Sequence, residues 1–224
     1  MILTFLPEAT AHTLEIIATV TFVAYLVLQI MHSRYMWYLY IPSCICAAIN
    51  FFNSSTWAFA ALNVYYVVMG VVGIVSWNKD RARVSETSDA NDGILLNRLP
   101  SKTVLVSAAS VIVGIPVLYF LLNGSLLSWL GGVFGSEALK SFAVNSVDPN
   151  PLLDAITTAL SIIGTWWLTK SYLQQWWIWI VADVFAIVLN LNLGNNWFVL
   201  QFTLCIISSF IGLWNWKRKG TYVQ

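Results

Sequence analysis

The sequence predicts an all-α polytopic membrane protein. Seven transmembrane helices are expected, in a 3+1+3 parallel-repeat arrangement, N-out/C-in. Three observations carry this. First, 58% of the 224 residues are hydrophobic and only 9% are charged, whereas a soluble domain carries about 25% charged residues. So few ionic groups cannot wet a surface of this size, which makes the lipid bilayer the expected solvent. Second, mostly apolar runs of about 20 residues, the length that crosses a hydrocarbon core, recur along the chain. Third, the first part of the chain reappears 139 positions later without a gap.

In order, the spans fall at roughly 12–32, 35–53, 56–79, 102–123, 152–172, 174–193 and 195–217. No basic stretch precedes the first run and no small-residue cleavage site follows it, so no removable signal peptide is expected. Tight connectors separate several spans: "HSR" at 32–34, "NSST" at 53–56, "KSYLQQ" at 170–175 and "LGNN" at 193–196. Two connectors are longer. Residues 80–101 are polar and charged, and 124–151 are rich in Gly and Ser and end in "DPNP". Within the latter, "LLSWLGGVFG" reads as a short amphipathic turn at the interface. The organisation is therefore a first three-helix repeat (1–79), a cytoplasmic loop (80–101), a linking helix (102–123), a periplasmic loop (124–151), a second three-helix repeat (152–219) and a cytoplasmic tail (220–224).

Orientation follows from the basic residues, which accumulate on the cytoplasmic side. With the N-terminus outside, Arg34, Lys79, Arg81, Arg83, Arg98, Lys102, Lys170, Lys217, Arg218 and Lys219 all lie inside, and of the 11 basic residues only Lys140 lies outside. Trp37, Trp77, Trp129 and Trp216 stand near span ends and read as interfacial anchors.

The repeat is specific in its residues. At the 139-position offset Glu15 meets Asp154, Trp37 meets Trp176, Asn53 meets Asn192, Phe59 meets Phe198, Gly73 meets Gly212 and Trp77 meets Trp216. Three spans recurring as three spans, with one between, must run in the same sense through the membrane. Such pseudo-symmetric halves commonly enclose a midplane site, which makes a transporter the leading class. A duplicated scaffold without transport is the plainer alternative.

Polar groups inside a span are costly unless they face a cavity or a partner. In the sixth span Trp176, Trp179, Asp183, Ala186 and Asn190 recur at spacings of 3 and 4, so they share one helix face. The third span carries Asn63, Tyr66, Gly70, Gly73 and Trp77 in the same way, and the seventh carries Gln201, Cys205, Ser208 and Gly212. Each polar member has two readings. Asp183 is a ligand contact or a structural acid bonded to a neighbouring hydroxyl. Asn63 and Gln201 are ligand contacts or ties between helices. Trp179, deeper in the span, leans towards a ligand, and Trp176 is shared between site and interface. His12 and His32 sit at span ends and receive no role. Cys44, Cys46 and Cys205 read as buried thiols, and no metal or cofactor is expected. Net charge is +1, which points to no nucleic-acid partner. No catalytic motif appears, so no enzyme is expected. Lysine is absent between Lys170 and Lys217, which excludes a retinal photoreceptor.

The stretches "KSYLQQWWIWIVADVFAIVLNL" and "FVLQFTLCIISSFIGLWNWKRK", with "SRYMWYLYI" and "NVYYVVMGVVGIVSWNK" in the first half, resemble the PnuC family of bacterial vitamin transporters. The resemblance covers both repeats, about half of the chain, and the family is similar in architecture to the SWEET sugar transporters. It implies facilitated diffusion of nicotinamide riboside across the cell inner membrane, with phosphorylation inside the cell trapping the solute. Some relatives carry Glu where this chain has Gln201, and Asn where it has Asp183. The resemblance implies that Trp179, Asp183, Asn190, Asn196, Gln201, Asn63, Tyr66 and Trp176 contact the substrate. Trp and Tyr faces attract a cationic ring, amides match its carboxamide, and Asn190 and Asn196 could meet the ribose hydroxyls. Thiamine or another vitamin, a proton-coupled carrier using Asp183, and a membrane interaction protein working through 80–101 are the alternatives. A homo-oligomer stays open.

Overall fold

The computed structural model describes residues 6–53, 57–87, 94–145 and 147–223. The connector at 53–56 and the middle of the 80–101 segment therefore fall partly outside the described residues. Nine helices and two short strands are described: α1 (Glu8–Ile30), α2 (Met36–Asn53), α3 (Trp57–Thr87), β1 (Ile94–Leu96), α4 (Ser101–Leu122), α5 (Ser125–Val133), α6 (Glu137–Asn145), α7 (Pro151–Thr169), α8 (Gln175–Asn192), α9 (Asn196–Lys219) and β2 (Gly220–Tyr222). Among them α1, α3, α4, α7, α8 and α9 are long and apolar enough to cross a membrane. The chain is a helical polytopic membrane protein. Helix α2 is not among those six, because its Trp, Tyr and Asn residues dilute its hydropathy. Large apolar side chains such as Val20, Leu105 and Ile112 are left bare on helix faces, as lipid contact requires.

Two loops are more ordered than the sequence suggested. Helix α3 continues through Thr87, into the segment read as loop, and β1 follows it. The 124–151 connector holds two helices, α5 and α6, rather than one short turn. Gly124 adopts a left-handed φ of 76° between α4 and α5. A Cβ there would also strike the Ala143 carbonyl, so glycine suits this corner twice over.

The chain divides into two compact units: residues 1–98, 164–177 and 207–224 form the first, and 99–163 and 178–206 the second. In the second unit α5 packs on α6 and on α4, and Asp148 N–H donates to the Leu122 carbonyl at 2.9 Å. In the first unit α1 packs on α2 and α2 on α3. Ser43 Oγ donates to the Ala18 carbonyl at 2.9 Å, tying α2 to α1.

The core of the first unit is aromatic, and its geometry starts at two helix ends. Helix α1 closes with His32 N–H bonded to the Gln29 carbonyl and Ser33 N–H to the Leu28 carbonyl. That pair of bonds is the Schellman arrangement, which needs a left-handed residue at the turn. His32 supplies it at φ 54°. Helix α7 ends identically: Ser171 N–H bonds the Leu168 carbonyl, Tyr172 N–H bonds the Trp167 carbonyl, and Ser171 has φ 51°. A non-glycine residue in this conformation costs on the order of 1–2 kcal/mol. His32 and Ser171 are 139 positions apart and face each other, with Nε2 3.4 Å from Oγ.

These helix ends leave carbonyls with spare lone pairs, and two distant tryptophans use them. Trp77 Nε1–H donates to the Leu168 carbonyl at 3.2 Å. Trp216 Nε1–H donates to the Gln29 carbonyl at 3.0 Å. Donor and acceptor of the second bond are each displaced from those of the first by that same offset. The His32 ring stacks on Trp77 at 4.1 Å and meets Trp216 edge-on at 4.7 Å. Trp37 packs edge-on against Trp77 at 5.5 Å, and Trp176 against Trp216 at 5.2 Å. All four indoles are buried. This corrects the expectation that Trp37, Trp77 and Trp216 are interfacial anchors: they are core residues. Trp129, by contrast, is 63% exposed, as an anchor would be.

Two glycines admit this core. A Cβ at Gly73 would collide with the Trp37 ring, and one at Gly212 with the Trp176 ring. Both rings are buried and have nowhere to move. Gly73→Ala and Gly212→Ala should each destabilise the protein in detergent by about 1–3 kcal/mol. Gly114→Ala meets open space and should be neutral or stabilising by about 0.5–1 kcal/mol. Thermal unfolding of the three variants checks this, and equal midpoints would refute the packing account.

His32 lies beyond the end of its span, and its pKa falls to about 3, through burial first and the Arg81 charge second. Lowering the folded value below the unfolded 6.5 means that stability is intact above pH 6.5. It is lost as pH falls towards 3, because the unfolded chain takes up the proton first. Between pH 6.5 and 5 the loss should be about 2 kcal/mol. His32→Asn keeps a residue tolerant of positive φ and removes the titration. Its melting temperature should change less between pH 7 and pH 5 than that of the wild type.

Candidate functional site

The expected ligand residues divide between the two units. Asn63 and Tyr66 on α3 and Trp176 on α8 belong to the first; Trp179, Asp183, Asn190, Asn196 and Gln201 belong to the second.

In the first unit Asn63 Nδ2 donates to the Phe59 carbonyl one turn back, at 2.9 Å. Its side-chain oxygen is left as the acceptor. Tyr66 is half-buried, with its ring 6.0 Å from that of Tyr40. Trp176 belongs to the aromatic core, and its Nε1–H is buried without a hydrogen-bond partner among the described residues.

In the second unit the face expected on α8 is the face that is covered. Ala182, Asp183, Ala186, Leu189 and Asn190 are buried, whereas Val181, Val184, Val188 and Leu191 are exposed. The 3.6-residue period therefore separates protein-facing from lipid-facing positions. Asp183 is 5% exposed and makes no hydrogen bond to a described residue. Asn190 Nδ2 donates to the Ala186 carbonyl at 2.8 Å, leaving its Oδ1 as an acceptor. Trp179 is half-buried, and its Nε1–H has no partner among the described residues. Gln201 on α9 is half-buried, and Asn196, the first residue of α9, is exposed.

Chemically, this α8 face combines an aromatic ring, an unused N–H donor, an amide oxygen and a carboxylate. Leaving such groups buried without partners costs about 1–3 kcal/mol each, so the face is suited to a polar solute. No Lys or Arg occurs between residues 171 and 216, so an anionic group would find no counter-charge on α8 or in the body of α9. Among the described residues no cluster of three or more His, Cys, Asp or Glu could hold a metal. An apolar groove of about 300 Å³ between α4 and α5 is lined by Pro116, Val117, Phe120, Ser125, Leu126 and Trp129. It offers almost nothing to a polar ligand.

Sequence reasoning passed over several buried polar residues, among them three that bear ring, amide or carboxyl groups near helix ends. His32 is one. Gln175 is fully buried, and neither its Nε2 nor its Oε1 has a partner among the described residues. Asp154, recognised only as the repeat mate of Glu15, is buried and accepts a 3.2 Å hydrogen bond from Thr158 Oγ1. Each sits at the end of a helix, where a polar residue is ordinary and sequence carries no sign of burial.

The family model described as Nicotinamide mononucleotide transporter matches residues 12–218. The nicotinamide riboside transporter PnuC of Escherichia coli (strain K12) is 23% identical over 171 residues, covering 74% of this chain and 67% of that protein. The protein of the same description from Shigella flexneri matches to the same extent. Among solved structures, the crystal structure of the vitamin B3 transporter PnuC aligns at a TM-score of 0.61 and 21% identity, over 92% of this chain and 80% of that one. The fold is therefore shared.

Proposed function

The chain belongs to the nicotinamide mononucleotide transporter family, a family of transporters rather than enzymes, and we propose that it carries nicotinamide riboside across the bacterial inner membrane by facilitated diffusion. The observation that carries the choice of solute is the buried Asp183 on an α8 face without a basic residue. Nicotinamide riboside bears a cationic ring, which a carboxylate and indole faces favour. Its 5′-phosphate would bring about two negative charges towards Asp183, which a low-dielectric site disfavours. The riboside named for the two curated relatives thus suits this chain better than the mononucleotide of the family's description.

In this reading Trp179 stacks on the ring, Gln201 bonds the carboxamide, Asp183 balances the charge, and Asn190 and Asn196 meet the hydroxyls. Helix α2 serves as the seventh span, giving 3+1+3 helices with the N-terminus outside. The reciprocal Trp77 and Trp216 bonds and the twin left-handed turns at His32 and Ser171 support the parallel repeat. The interior acid has no partner base on its helix face, so transport is uncoupled from protons.

Calorimetry should give a Kd for nicotinamide riboside at least tenfold below those for its 5′-phosphate and for thiamine. In proteoliposomes, uptake should equilibrate and ignore an imposed pH gradient. Equal affinity for the phosphate, or accumulation driven by the pH gradient alone, would refute the solute or the mechanism respectively.

Trp179→Ala and Gln201→Ala should each weaken binding by about 1–3 kcal/mol, or about five- to 150-fold, with folding intact. Trp77→Ala should lower yield and thermal stability while leaving the affinity of surviving protein nearly unchanged. The reverse pattern would place the solute against the aromatic core instead.

A further inference from the structure

At the end of the first unit where basic residues gather, five remote segments meet. They are the α1 end at His32, the stretch of α3 at Trp77 and Asp80, the strand β1, the turn between α7 and α8, and the strand β2. Strand β1 pairs with β2 in parallel, Ile94 with Gly220, Leu95 with Thr221 and Leu96 with Tyr222. The next rung is Val223 N–H to the Leu96 carbonyl at 2.8 Å. Ile94 and Leu96 turn inward and join the aromatic core, while Leu95 is only half-buried. The Leu95 backbone lies against the His32 imidazole. Asn97 fastens the end of β1: its Nδ2 donates to Asp80 Oδ2 at 2.8 Å and to the Lys170 carbonyl at 2.9 Å. Its N–H bonds the Ser171 carbonyl at 3.2 Å. Gly220 lets the tail lie close, since a Cβ there would collide with Leu96.

We propose that β1 and β2 form a clasp over the His32–Trp77–Trp216 layer, and that clasp and layer together are the cytoplasmic gate of the transporter. The assignment rests on the transport reading and the orientation proposed above. Two features make the clasp a moving part. A two-stranded ribbon of this length is marginal by itself, so it is held by what it covers and is easily released. The layer beneath it also holds polar atoms without partners among the described residues, Trp37 Nε1 and Trp176 Nε1, and the Gln175 amide beside Trp176 is equally unpartnered among them. Closure thus leaves groups unsatisfied that water would satisfy once the clasp lifts. The ordered layer favours the shut state and its orphaned atoms favour the open one, which is the balance a gate requires.

The test locks the clasp and, separately, removes it. Cys44, Cys46 and Cys205 are first replaced by Ala. In that background Leu95→Cys with Thr221→Cys places two thiols at paired positions away from the core. Oxidation, verified by mass, should lower nicotinamide riboside uptake at least tenfold with Kd unchanged within twofold, and dithiothreitol should restore uptake. A cross-linked protein that transports as fast as its reduced form would overturn the proposal. In the same background Ser171→Cys, buried in the closed layer, is labelled with a membrane-impermeant maleimide in inside-out vesicles. Deleting residues 220–224 should raise the labelling rate at least tenfold, and an unchanged rate would again overturn it. Labelling needs no substrate, so failure to bind nicotinamide riboside would refute the solute alone and leave the gate to stand or fall by this readout.

Discussion

A helix that ends inside a membrane protein must find donors for its last carbonyls, and in this chain the donors come from far away. The spare lone pairs at Gln29 and Leu168 are met by the indoles of Trp216 and Trp77. Each bond ties the end of one helix to a side chain near the end of another, and the rest of the first unit is arranged to keep both. The left-handed turns expose the carbonyls. Gly73 and Gly212 let Trp37 and Trp176 press in close. The uncharged His32 ring fills the space that the two indoles leave between them. The strain at the two turns is offset by the bonds they make possible.

Much of this was written in the sequence, though not all of it in legible form. Every span expected from hydropathy corresponds to a helix, and the face expected on α8 is the buried one, because lipid and protein contact impose a 3.6-residue period on composition. The pairing of Trp77 with Trp216 was visible too, yet their role was misread. Tryptophan near a span end looks the same whether its N–H meets headgroups or a buried carbonyl, and only the location of that carbonyl decides. His32 was invisible because a left-handed histidine leaves no mark on its neighbours' identities. Helix α6 was missed because a polar nine-residue segment has no span-length signal.

The two halves agree where they bind each other and differ elsewhere. At the aligned positions Trp meets Trp and Gly meets Gly around the aromatic core. Further along the same helices Asp183 aligns with Cys44, Gln201 with Leu62 and Trp179 with Tyr40. Mutual contact constrains both copies alike, whereas a solute with distinct ends asks different things of each. Glu15 and Asp154 show the drift at the opposite end: the first is exposed beside His12 and the second is buried.

The pairing of β1 with β2 also fixes an order of events during synthesis. Strand β1 leaves the ribosome before α4, yet its partner is made only after α9. Until then the strand has no pairing partner, Trp77 stands ready without the Leu168 carbonyl for much of that interval, and His32 lacks one of its two indoles. The loop between the two strands therefore closes late, and closing a loop of that length carries a cost in chain entropy. Maturation of this protein is a knitting process in which a strand made early waits for a stitch made after α9.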